Sequence, residues 1–284
     1  MKRKILLPTD FSENAWHAIN YAVELYKDEV CDFYILNVFS ATGNIMESLM
    51  NLEPGSGLYE TKKKNSEEGL NETLQELILN DKSDPKHSFK TISVFNNPIE
   101  AIKNLVEQKD IEMIVMGTKG ETSSSEAAFG STAIYVMEKV RNCPVMVIPQ
   151  NADLAMPKEI VFPTGYKTHY KKRELSYLIN IAKKCSATIA VLHVSQNKEL
   201  SKKQQESREL LEEIFEDINY EIHNLSYASI ETAVSIFIQS RKSGMLAFIN
   251  KKHEFFGSIL TNPMVKNITF HVNVPILTLH DLRN

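Results

Sequence analysis

KILLPTDFS, Lys4 to Ser12, sets an apolar run directly before a proline, a threonine and an aspartate, and it returns later in the chain as EIVFPTGYK, Glu159 to Lys167. In the first copy, Ile5 to Leu7 reads as a strand ended by Pro8. Ser12 is a candidate N-cap for a helix whose apolar positions Trp16, Ile19, Ala22, Val23 and Tyr26 recur at helical spacing. The pattern is strand, loop, helix, the first step of an α/β fold.

Working outward, the alternation continues with FYILNV (Phe33 to Val38), a long polar helix over Leu58 to Asn80, and TISVF (Thr91 to Phe95). Asn97-Pro98 opens a further helix, IEMIVMG (Ile111 to Gly117) and PVMVIP (Pro144 to Pro149) give the fourth and fifth strands, and a helix lies between those two. Nearly continuous apolar strands separated by helices are the mark of a parallel sheet covered on both faces.

Four more segments return in the same order. ILNV (Ile35 to Val38) returns as VLHV (Val191 to Val194), and PIEAI (Pro98 to Ile102) as SIETA (Ser229 to Ala233). MIVMG (Met113 to Gly117) returns as LAFIN (Leu246 to Asn250), and CPVMVI (Cys143 to Ile148) as VPILTL (Val274 to Leu279). The expected architecture is a tandem repeat of two open, doubly wound five-stranded parallel sheets, residues 1–150 and 151–284, joined near Gln150 to Lys158. The fifth strands, each ending its repeat, are expected to associate across an internal pseudo-two-fold, since an unpaired edge invites aggregation.

Composition narrows the function. The chain has 284 residues, 43% of them apolar and 24% charged, the profile of a globular protein with room for two domains. A net charge of −4 with no concentrated Lys/Arg stripe argues against a nucleic-acid partner, and Lys62 to Lys64 reads as a solvated helix face. Cys31, Cys143 and Cys185 are far apart without C-x-x-C spacing, which suggests neither a disulfide framework nor a zinc site. The N-terminal apolar run is too short for a signal segment, and no stretch approaches a membrane span. A cytoplasmic protein without membrane partners is expected.

GTKGETSSSEAAFGST, Gly117 to Thr132, begins where a strand ends and finishes where a helix begins, so helix N–H groups and the positive end of the dipole face the loop. Glycines at 117, 120 and 130 would let a phosphate approach the backbone, Ser131 and Thr132 add hydroxyl donors, and Lys119 offsets some charge. The same glycines could serve turn geometry alone. Neither G-x-x-x-x-G-K-[ST] nor a G-x-G-x-x-G after the first strand is present. Asp10, at the carboxyl end of the first strand, suits a sugar hydroxyl or a metal-bound water; as a helix-start aspartate near Ser12 it would have a purely local role.

Pro8-Thr9-Asp10, Val38 at the end of the second strand, and Gly117-x-x-Gly120-x9-Gly130-Ser131 together resemble the nucleotide-binding members of the universal stress protein family, and the repeat resembles its tandem form. The resemblance implies an adenine nucleotide alpha hydrolase-like fold that binds ATP or AMP. Pro8, Thr9, Asp10 and Val38 would surround the adenosine, and Met116, Gly117, Gly120, Gly130, Ser131 and Thr132 would line ribose and phosphates. It also implies an intrachain pseudo-dimer, a homodimer being open, with an unidentified protein partner. Asn96 stands where the family often has glycine, a residue that tolerates left-handed backbone angles. Glu121 and Glu126 lie within the loop, so a triphosphate would need Mg²⁺.

The second half departs from this pattern. Asp10 is matched by Gly165, Gly117 by Asn250 and Gly120 by His253, while Gly130 and Ser131 fall on Thr261 and Asn262. One nucleotide per chain is the expectation. HEFFGSIL (His253 to Leu260) reads as a plug in the lost site or as a partner surface, and His193 as a core histidine. No H-x-x-x-H pair, G-x-S-x-G elbow or adenylyl-transfer signature is present, so a regulatory binding module is expected. The alternatives are a slow ATPase or autokinase, the latter modifying Ser123 to Ser125, and a ligand-free scaffold.

Overall fold

Short β-rich runs and helices alternate along the chain, and the helix starts at Ser12, Asn97, Ser201 and Ser229 carry a capping side chain. The computed structural model describes residues 2–40, 54–80, 84–118, 130–197, 199–226, 229–250 and 273–280. The strands are β1 (Arg3–Pro8), β2 (Cys31–Phe39), β3 (His87–Phe95), β4 (Met113–Gly117), β5 (Val145–Ile148), β6 (Glu159–Pro163), β7 (Thr188–Val194), β8 (Tyr220–Leu225), β9 (Met245–Asn250) and β10 (Ile276–His280). The helices are α1 (Glu13–Leu25), α2 (Gly57–Asn80), α3 (Pro98–Lys109), α4 (Ser131–Lys139), α5 (Lys172–Cys185), α6 (Lys202–Phe215) and α7 (Ile230–Arg241).

Ser12 caps α1 as its position suggests, its hydroxyl accepting from the Ala15 amide at 3.2 Å. Asn97 does the same for α3, accepting from the Ile99 amide at 2.9 Å, with Pro98 in the first turn where a missing N–H costs nothing. Ala15, Ala18, Ile19, Ala22 and Leu25 form the buried stripe of α1. Small residues on that stripe let the helix lie close to the sheet. The solvated reading of the lysine run holds only in part, because Lys62 donates to the Ser40 carbonyl at 2.8 Å.

The strands form one sheet in the order β3-β2-β1-β4-β5-β10-β9-β6-β7-β8. Each half is parallel and has the same internal order, so the second half is the first rotated about the middle of the sheet. The halves meet where the edges were expected to pair: β5 and β10 run antiparallel, with Ile276 opposite Val147, Leu277 opposite Met146 and Thr278 opposite Val145. All six of these residues are fully buried. The pairing consumes two strand edges that would otherwise expose unsatisfied backbone groups.

Two apolar clusters cover the faces, and both run across the seam. One joins Ile5, Leu7, Phe33 and Ile148 to Ile160, Phe162, Leu178 and Leu277 beneath α1, α2, α5 and α6. The other joins Leu6, Leu36, Ile114 and Val147 to Val161, Leu192 and Ile276 beneath α3, α4 and α7. Polar contacts add to the seam. Arg141 donates to the Asn250 carbonyl at 2.8 Å, the Asn250 amide donates to the Met137 carbonyl at 2.9 Å, and Lys184 pairs with Glu29 while lying over the Tyr26 ring.

His280 ends β10 opposite Asn250 and is 4% exposed, with no hydrogen bond to either ring nitrogen among the described residues. Burial, with the nearby Arg141 charge, holds its pKa down at about 3. A folded-state value below the unfolded one means that stability is fully present above the ordinary histidine range and is lost as pH falls below it. Urea unfolding should lose about 2 kcal/mol between pH 7.5 and pH 5 on account of this residue. His280→Gln should remove that increment from the pH slope, and an unchanged slope would assign the acid sensitivity elsewhere.

Candidate functional site

Strand order reverses between β1 and β4, the chain leaving β1 for β2 on one side while β4 and β5 lie on the other. In open α/β sheets the crevice beyond the carboxyl ends of the strands at such a point receives ligands. Pro8, Thr9, Asp10 and Gly117 stand at or just beyond those ends. Val38 and Met116 pack in the same apolar cluster as Leu6, and by strand alternation Pro8 shares the face of Leu6. Pro8, Val38 and Met116 thereby share one face of the sheet near the reversal.

The turn after β1 is built by Thr9, which is 8% exposed. Its amide continues the sheet by donating to the Leu36 carbonyl at 2.8 Å. Its hydroxyl accepts from the Phe11 amide at 3.0 Å, which holds Phe11 in the left-handed region at φ 67°. Its carbonyl accepts from Asn37 Nδ2 at 2.8 Å. The exposed Asp10 accepts from the Ser12 hydroxyl at 2.7 Å and amide at 3.2 Å through one carboxylate oxygen, so it serves the start of α1. Asn96 sits at the end of β3, its amide donating to the Phe39 carbonyl at 3.2 Å, and has no left-handed angle.

On the β4 side, the Gly130 amide donates to the Thr118 carbonyl at 2.7 Å, so the two residues flanking 119–129 are fastened together. Gly130 is the N-cap of α4 and offers no side-chain cap, so the first-turn amides must find acceptors elsewhere. Ser131 and Thr132 are exposed at that helix start. Neither Gly117 nor Gly130 has a positive φ, so turn geometry does not explain a glycine at either position. Lys119, Gly120, Glu121, Ser123 to Ser125 and Glu126 lie outside the described residues, as do His253 to Leu260, Thr261 and Asn262.

Sequence reasoning passed over Asn14, which is 4% exposed in the first turn of α1. Its Nδ2 donates to the Ile148 carbonyl at 3.0 Å, and its Oδ1 accepts from the Thr118 hydroxyl at 3.2 Å. The Thr118 amide shares the same Ile148 carbonyl at 3.1 Å. The only sequence signal was an asparagine on the apolar stripe of a helix, a place where a polar side chain requires partners.

A family model described as "Universal stress protein family" matches residues 1–149. The chain belongs to the universal stress protein family. A universal stress protein of Methanocaldococcus jannaschii is 31% identical over 157 residues, a match covering 52% of this chain and 95% of that protein. One from Bacillus subtilis is 25% identical over 150 residues, covering 52% of this chain and 99% of that protein. The crystal structure of a universal stress protein from Archaeoglobus fulgidus covers 97% of this chain and 95% of its own with a TM-score of 0.68 at 17% identity, a likeness of fold that extends over both halves. Among the described residues no helix is long and apolar enough to cross a membrane.

In this universal stress protein the second-half turn keeps the same bonds with different occupants. The Thr164 amide donates to Leu192 at 2.8 Å, and its hydroxyl accepts from the Tyr166 amide at 3.1 Å, with Tyr166 at φ 53°. His193 Nδ1 lies 2.8 Å from the Thr164 carbonyl, the place of Asn37, and the ring packs 5.0 Å from that of Tyr166. His193 is therefore a satisfied core histidine, as its strand suggested. Whereas Phe11 is 42% exposed, Tyr166 is fully buried, and burial pushes its hydroxyl up to about 12. Tyr170 bonds the Thr164 hydroxyl, and Gln204 donates to the Gly165 carbonyl at 2.9 Å.

Because the two halves solve one hydrogen-bonding problem with Asn37 and His193, Asn37→His should be tolerated. Asn37→Leu leaves the Thr9 carbonyl without its buried donor and should cost about 1–3 kcal/mol. Urea denaturation of the two variants checks this, and equal losses would refute the equivalence.

Proposed function

We propose that residues 1–150 form an adenine-nucleotide-binding domain, that residues 151–284 form a domain without a nucleotide site, and that the pair works as a regulatory module in which occupancy by ATP or AMP alters shape or partner binding. The observation that carries this reading is the Gly130 to Thr118 clasp, which sets the start of α4 beside the carboxyl end of β4 at the strand-order reversal. A helix start whose N-cap gives no side-chain acceptor favours an anion, and the apolar Val38 and Met116 on the same face of the sheet suit a flat base. Family membership supports the same reading. ATP would enter with Mg²⁺, its triphosphate reaching the loop of Lys119 and Gly120.

The asymmetry between the halves supports one site per chain. Phe11 at the first-half turn is exposed, whereas Tyr166, Tyr170 and Gln204 converge on the second-half turn. Asn250, matched to Gly117, is committed to Met137 across the seam.

Acid extraction of the purified protein followed by chromatography should release AMP, ADP or ATP. Calorimetric titration should give one adenine nucleotide per chain. Gly130→Val, which puts a branched side chain where backbone must meet phosphate, should lose at least about 1–3 kcal/mol of binding through unmade charge-assisted hydrogen bonds. Two equivalent sites, or unchanged binding by a folded Gly130→Val, would overturn the assignment.

A further inference from the structure

Gly117 stands at the carboxyl end of β4, where glycine suggested room for a phosphate, but its nearest neighbour is a helix. A Cβ built on Gly117 would lie 2.7 Å from Asn14 Oδ1, 2.9 Å from Asn14 Cγ and 3.0 Å from the Asn14 carbonyl oxygen. Real Cβ atoms do not approach that closely, and Asn14 has little freedom to withdraw. Its two amide atoms are bound to Ile148 and Thr118 on adjacent strand ends, and it is 4% exposed. Since Gly117 has no positive φ, space rather than backbone angle demands the glycine.

The Asn14 bonds lead into the candidate site. Asn14 holds Thr118 by its hydroxyl, the Thr118 amide is anchored on Ile148, and the Thr118 carbonyl receives the Gly130 amide. A buried side chain of α1 is thus two hydrogen bonds from the N-cap of α4. Ile148 serves both as the end of β5 and as the shared acceptor for Asn14 and Thr118, so the arrangement is fixed to the sheet rather than to the loop.

We infer that Asn14 is the positioning residue of the nucleotide site. Glycine at 117 is required so that Asn14 can approach β4, and Asn14 in turn sets Thr118 and the start of α4 in register for the phosphate. This rests on the function proposed above for the first half, and it assigns Gly117 a different neighbour from the one the sequence implied. It predicts coupling between two residues, neither of which needs to touch the ligand.

The test is a double-mutant cycle on the full chain with Gly117→Ala, Asn14→Ala and the double variant, each measured for urea midpoint and for affinity towards ATP with Mg²⁺. Gly117→Ala should weaken ATP at least tenfold in the parent and no more than about threefold in the Asn14→Ala background, where the obstructing amide is gone. Asn14→Ala alone should weaken ATP several-fold while the protein remains folded. An equal Gly117→Ala loss in both backgrounds would mean that the Asn14 side chain is not what demands the glycine and would overturn the inference. So would a lowered urea midpoint with unchanged affinity, which is what a purely structural contact gives. If the parent itself bound no ATP, the proposed function would fail, and the midpoints would still decide the packing: strong non-additivity supports the Asn14 to Gly117 contact, and additive losses refute it.

Discussion

The antiparallel pairing of β5 with β10 is the constraint on which the rest of the molecule depends. Each half is an open parallel sheet that ends in a short apolar strand, and a bare edge there would offer its amides and carbonyls for pairing with another chain. Joining the two edges gives ten continuous strands and lets both covering cores cross the seam. It also fixes the orientation of the halves, because antiparallel pairing of equivalent strands relates them by a pseudo-two-fold. Arg141, Asn250 and Lys184 then bond across a boundary that hydrophobic burial has already set.

The likeness of the two halves is clearest in the turn that follows the first strand of each. Thr9 and Thr164 make the same three kinds of bond, and Phe11 and Tyr166 share the same left-handed backbone. What has diverged is where the aromatic ring goes. Phe11 stays exposed, its ring lying over Gly69 of α2, where an added Cβ would come within 2.7 Å. A buried Tyr166, its ring tilted against that of His193, turns the equivalent place into core. One backbone frame therefore carries an exposed ring in one half and a buried one in the other.

Much of the fold was legible in the sequence because strands, caps and breakers act over a few residues. The strand–helix alternation, the Ser12 and Asn97 caps, the five returning segments and the pairing of the fifth strands all follow from local pattern and from the cost of a bare edge. Strand limits were less legible: β3 begins at His87 rather than Thr91, since pairing with β2 extends a strand beyond the apolar residues that announce it. Of the candidate site only positions were legible, Pro8, Thr9, Asp10, Val38, Met116 and Gly117 standing at or near one end of the sheet. Their roles were less so. Asp10 turns to Ser12 and caps local structure, a use that its spacing allowed but did not select.

By itself the sequence determined the order of elements, the repeat, the family resemblance and the loss of glycines in the second half, because each is carried by residue type and spacing along the chain. Only the tertiary structure decided that Gly117 lies against Asn14, that Asn14 reaches Thr118 across 104 residues of sequence, and that Asn250 spends its amide on the opposite half. Those are distances between elements, set by how closely a helix with small residues can approach a strand end. No local period encodes such a distance, so it exists only once helices and strands distant in sequence have packed together.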